Sequence, residues 1–234
     1  MDELILGGTA DVESFLERWY GSTKDLAINK APMDTVAPFA LVRWHALAGA
    51  VGTRITFQDH PIALQDLKWD ADGMLTFWAE NQNGCFWAVD HGDPGQIVFY
   101  RFSNRETWTA TSENLEQFLL HCTVYEASIG AEQMFTVLES ESRLSEALES
   151  FSELTFPRFA YEEPEAKIWA SDDALARVTR APRGYAQPGQ SLWMLTFAAP
   201  HGVNIGKYAP RFEIDPDTDF VVDRTPPPHQ EPPF

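Results

Sequence analysis

Residues 74–90 read MLTFWAENQNGCFWAVD, and the reading of this stretch decides the fold. MLTFWAEN and CFWAVD are rich in strand-forming residues, and the Asn83-Gly84 dipeptide between them is the signature of a tight primed turn. An antiparallel hairpin is expected. Side chains alternate across a strand, so Phe77, Trp78, Phe86 and Trp87 should place aromatics on both of its faces, with Glu80, Asn81 and Gln82 crowding the tip. At least one aromatic row needs cover. Helices and later strands covering both rows is the simpler reading; the alternative leaves one row, rimmed by polar residues, to a protein partner.

Working downstream, the turn residues His91-Gly92-Asp93-Pro94-Gly95 lead into QIVFYRF, and Ser103-Asn104-Arg105 leads into TWTAT, which extends the hairpin to a meander of about four strands. Ser112 then caps a helix with Glu113 and Glu116 near its positive end and Leu115, Phe118, Leu119, Cys122, Tyr125 and Ile129 as an apolar stripe. That stripe should cover one face of the sheet. Upstream, Asp11 caps a helix bearing Val12, Phe15, Leu16 and Trp19 and stopped at Gly21. A second begins after Thr35, has Pro38 in its first turn, carries Leu41, Trp44, Ala48 and Val51, and ends near Gly49 or Gly52. Helix, helix, strands, helix is an α+β order.

Residues 131–165 hold nine Glu against Arg143 and Arg158, and Leu144, Leu148 and Phe151 mark a short acidic helix within them. Beyond it, KIWAS, LARVTR and SLWMLTF read as shorter strands that form a second hairpin or extend the first sheet. The expected architecture is therefore a single mainly antiparallel sheet, the meander plus C-terminal strands, packed by helices. Its boundaries are one domain over 1–223, with a core at about 12–130 and a C-terminal extension at 131–223. Residues 224–234 contain five Pro and read as a flexible, polyproline-like tail.

Composition narrows the functional classes. The 234 residues carry a net charge of −18 and 44% hydrophobic residues, so the chain can bury a core and would repel nucleic-acid phosphates while attracting basic partners. Direct nucleic-acid binding is disfavoured. The opening MDELILGG has no basic segment, no run reaches 18 apolar residues, and two cysteines, Cys85 and Cys122, fit buried reduced thiols; a cytoplasmic protein without a membrane span is expected.

Motifs for chemistry fail on spacing. Asp70-Ala71-Asp72-Gly73 resembles a calcium loop, but the position that should supply a bidentate carboxylate is Ala79, and Asp215, Asp217 and Asp219 fail in the same way at Pro226. Both read as acidic turns. The six histidines show no zinc-type pair, His45 and His121 read as packing or surface residues, and nucleophile-elbow, phosphate-loop and dinucleotide motifs are missing. No catalytic, cofactor or metal residue is assigned.

The run Pro38–Gly49 (PFALVRWHALAG), then DADGMLTFWAENQNGCFWAVD, VFY, Trp108 and ENLEQFLLHCTVYEA together resemble the SUKH superfamily. This superfamily groups fungal cell-wall-synthesis regulators with many bacterial immunity proteins. The resemblance covers about residues 12–130, and Asn83-Gly84-Cys85 departs from the shorter Gly-plus-aromatic connection usual there. It implies an α+β fold, no catalytic machinery and a protein-binding role. The resulting expectation is a non-enzymatic immunity protein that neutralises a cognate toxin, a basic nuclease by the charge argument, by masking its active surface. A regulatory or scaffolding module is the alternative, and a small hydrolase the third reading. The binding candidates are Glu80, Asn81, Gln82 and Asp90 around the hairpin, and Glu139, Glu141, Glu146 and Glu149 in the acidic stretch.

Overall fold

The computed structural model describes residues 4, 11–21, 37–162, 164–182, 191–209 and 220–223. Strands β1 (His60–Pro61), β2 (Met74–Ala79), β3 (Cys85–Asp90), β4 (Ile97–Phe102) and β5 (Thr109–Asn114) pair in that order as an antiparallel sheet. The meander is present, with β1 as an added short edge. Its central turn is longer than expected: five residues separate β2 from β3, closed by the Glu80 N–H on the Cys85 carbonyl at 2.9 Å. Asn83 has a φ of 58°, but Gly84 does not join it at positive φ, as a type I′ pair would require.

Three helices pack beside this sheet. In α1 (Val12–Tyr20) the Asp11 carboxylate accepts the Ser14 N–H at 2.8 Å, and Gly21 ends the helix at a φ of 90°. The second, α2 (Phe39–Ala50), starts directly after Pro38, which serves as its N-cap; Thr35 lies outside the described residues. The third, α3 (Leu115–Gly130), begins later than the Ser112 expectation because β5 continues to Asn114. Asn114 and Gln117 form a reciprocal capping box there, which satisfies two otherwise unpaired N–H groups.

Register explains where the aromatics go. Pairing passes from Thr76↔Ala88 to Trp78↔Trp87, so Phe77 is an extra residue, a bulge in β2. Phe77 and Trp78 consequently share the core side. Trp78 meets Trp44 edge-on at 5.2 Å and Phe77 meets Phe118 edge-on at 5.7 Å, while Trp87 packs on Phe118, Phe159 and Tyr161. Of the four hairpin aromatics only Phe86 points away.

The α+β class holds, but the C-terminal strands do not extend the first sheet. β6 (Gln133–Ser140), β7 (Ser152–Glu153), β8 (Lys167–Ala170), β9 (Leu175–Arg180), β10 (Leu192–Ala199) and β11 (Phe220–Asp223) form a second antiparallel sheet in the order β11-β6-β10-β9-β8-β7. The sequence reading lacked β6, which lies inside the acidic stretch and pairs between β10 and β11 in this second sheet. The expected acidic helix shrinks to one turn, α4 (Leu144–Ala147). Glutamates cluster at the end of β6 and after it, not within its apolar middle, MFTVL.

One core spans both halves of the chain. Thirteen of the sixteen residues of α3 are buried, because the first sheet and α1–α2 cover one side while Ile168, Ala170, Leu175 and Ala198 of the second sheet cover the other. The predicted one-sided stripe is thus an all-round buried helix. The far face of the second sheet, with Phe135, Val137, Val178, Leu195 and Phe197, carries a second core closed by Leu148, Phe151 and Tyr208. Among the described residues no helix is long and apolar enough to cross a membrane. The Asp215–Asp219 loop and the tail at 224–234 lie outside the described residues.

Candidate protein-binding surfaces

The eight residues named from sequence fall in three places. At the hairpin tip, the Glu80 carboxylate turns back and accepts the N–H groups of Gln82 and Gly84, each at 3.0 Å, so it stabilises its own turn; Asn81 and Gln82 are exposed. Asp90 sits at the other end of β3, six residues or about 20 Å away at strand rise, where it accepts the Gly92 N–H at 2.8 Å. Glu139 belongs to the second sheet, is buried, and approaches Arg143 at 3.6 Å. Glu141, Glu146 and Glu149 are exposed on the following turns. These groups do not form one site.

The outer side of the first sheet is the face that the sequence reading offered only as its alternative, and without Phe99 and Trp108. Register sets Trp87↔Tyr100 toward the core, which turns Phe86↔Arg101 and Ala88↔Phe99 outward. Phe86, Phe99 and Trp108 are half-buried and belong to neither core cluster. Trp108 is fixed in place: its indole N–H donates to Asp72 at 3.1 Å and the Arg101 guanidinium lies 4.3 Å from its ring centre. Asp70, Asp72, Asp90 and Asp93 border this face on the turns before β2 and after β3, and Asp93 holds its turn through the Gly95 and Ile97 N–H groups at 2.8 Å. An aromatic surface with an acidic edge results. The alternation in QIVFYRF, with Ile97, Phe99 and Arg101 on one side, was the available signal.

Interior polar groups are tied to structure. Glu126, fully buried on α3, accepts the backbone N–H groups of Phe57, Gln58 (2.8 Å) and Asp59 (2.7 Å), anchoring the 57–59 segment. Burial pushes its carboxyl up, and the three N–H groups oppose that shift. Asp59 is 4% exposed and accepts the Tyr161 hydroxyl at 2.7 Å, with the Asn81 backbone N–H also facing its carboxylate. Burial raises Asp59 to about 7, reinforced by the charges of Glu126 and Glu80 and opposed by the Tyr161 bond. Arg177 bonds Glu162 at 3.1 Å and lies over Tyr125, continuing this network to the second sheet. Burial also raises both thiols, Cys85 to about 12.

A cavity of about 560 Å³ lies between α1, α2 and the start of α3, with Arg43, Trp44, Glu113 and Phe156 on its wall. Glu113 sits 3.2 Å from Nδ1 of His121, whose ring stacks on Phe156 and Phe159 at 4.7 and 4.0 Å. His121 is therefore a packed histidine with a buried acidic partner. The two carboxylates raised by burial, Asp59 and Glu126, do not line this cavity. No family model matches the chain, and neither does any curated protein or solved structure.

Proposed function

We propose that this protein is a non-enzymatic, cytoplasmic immunity-type binding protein that neutralises a basic toxin by masking its active surface. The supporting observation is the outer face of the first sheet, where Phe86, Phe99 and Trp108 lie among Asp70, Asp72, Asp90 and Asp93 on a chain of net charge −18. Aromatic anchors supply desolvated contact area, and the acidic edge complements a surface evolved to hold phosphates. Glu80 bonds its own hairpin turn, as Asp90 and Asp93 bond theirs, so the contacting residue is Phe99 and the aspartates act through their charge at the edge of the face.

The test is co-expression with the neighbouring gene product, followed by capture at low and high salt. Phe99→Asp is expected to weaken binding about 30-fold or more, as loss of an interface anchor does. Joint Asp70→Asn, Asp90→Asn and Asp93→Asn should slow association and flatten its salt dependence. Capture that ignores both salt and these substitutions overturns the reading.

A further inference from the structure

The cavity of about 560 Å³ between α1, α2 and the start of α3 is of the size that holds a small organic molecule. Its wall is mixed. Val12, Trp44, Leu47, Leu120 and Phe156 supply apolar and aromatic surface, while Asp11, Arg43, Glu113 and Glu116 supply charge. The charges decide which ligand fits. Arg43 is already neutralised, because its guanidinium pairs with Glu13 and lies 3.6 Å from Asp11. The start of α3 is satisfied too, since Asn114 and Gln117 cap it reciprocally. An anion entering here meets two glutamates and no unpaired cation among the described residues.

Glu113 is the group on this wall that lacks a partner. It is only 6% exposed, one of its oxygens takes Nδ1 of His121 at 3.2 Å, and the second makes no hydrogen bond among the described residues. Solvent still reaches that second oxygen, and the cavity is the opening beside it. A carboxylate so deeply buried normally has its acceptor sites filled. His121 cannot turn to fill both, because its ring is held parallel to Phe156 and Phe159 at 4.7 and 4.0 Å. An ammonium group supplies what is missing, three N–H donors and the opposite charge. A carboxylate on the same ligand would face Glu116 and Asp11 with no free cation to take it, which selects amines over amino acids.

We infer that this cavity binds a small organic amine, its ammonium on the open oxygen of Glu113 and its aromatic or alkyl stem against Trp44, Leu47 and Phe156. The inference is independent of the toxin-binding reading, which concerns the outer face of the first sheet.

Isothermal titration calorimetry of the full chain with tryptamine, phenethylamine and hexylamine tests it, with tryptophol and indole-3-acetate as the neutral and anionic counterparts of tryptamine. The amines should bind about 30-fold or more tightly than these counterparts, as a charge-assisted bond to a buried carboxylate provides. Glu113→Gln should erase that preference, whereas Glu116→Gln, on the exposed first turn of α3, should change it less than about threefold. Equal binding of tryptamine and tryptophol overturns the proposal, as does a panel in which no amine binds below about 1 mM. Equal losses in the two variants overturn it too, since they trace the attraction to the net charge of −18 and not to one carboxylate. Where Glu113→Gln shifts the denaturation midpoint, salt decides in the parent protein: about 0.5 M NaCl screens diffuse attraction but leaves the preference for a buried partner in place.

Discussion

Gly130→Ala is expected to destabilise the protein by about 1–3 kcal/mol, although helix propensity alone predicts a gain of about 1 kcal/mol. Gly130 ends α3, and a Cβ there would lie 1.8 Å from Cδ2 of Phe57 and 2.2 Å from Cγ and Cε2. The backbone of Phe57, Gln58 and Asp59 cannot retreat with the ring, because it is bound to the Glu126 carboxylate one turn earlier. Relief therefore requires that the half-buried ring rotate out of its place, that the helix end shift, or that Glu126 lose its donors. A buried carboxylate without partners costs several kcal/mol. Urea denaturation of Gly130→Ala, Phe57→Ala and the double variant decides: the double should lose little beyond Phe57→Ala alone. A stabilised or neutral single variant refutes the close approach.

The second large effect is on pH dependence. Asp59 rises from 3.8 to about 7 in the fold, so the native state holds a proton that the unfolded chain releases. Stability from this group is complete below pH 4, declines as pH climbs, and is lost above pH 7, a span of about 4 kcal/mol. Glu126, also raised by burial, contributes with the same sign. Asp59→Asn keeps an acceptor for the Tyr161 hydroxyl and cannot ionise. The variant should match the parent near pH 4 and exceed it by a few kcal/mol at pH 8, read as midpoints of denaturation across that range. Parallel profiles for the two proteins rule the assignment out.

The hairpin, the meander, α1 and α2 were legible because local chemistry dictates them: Asp11 caps, Gly21 stops, and alternating apolar residues make strands. The bulge at Phe77 was not, since nothing in MLTFWA marks the extra residue, and without it the aromatic rows cannot be assigned to faces. β6 was hidden by its glutamates, whose charge drew attention from the apolar residues Met134, Phe135 and Val137 that set the strand. Once β6 is missed, KIWAS, LARVTR and SLWMLTF can only pair with one another as a second hairpin or join the first sheet, and a six-stranded second sheet has no centre. The candidate site suffered similarly. Glu80 and Asp90 look like free surface acids in sequence, yet each folds back on its own turn through bonds two to four residues long, as Asp and Glu beside glycine tend to do.

The position of α3 has a consequence for how the molecule comes apart. Because both sheets lean on the same rod, removing either strips solvent protection from the other, and neither half should melt ahead of its neighbour. Heating should give a single calorimetric peak, with the amides of Leu119–Ala127 the last in the chain to trade hydrogen for deuterium.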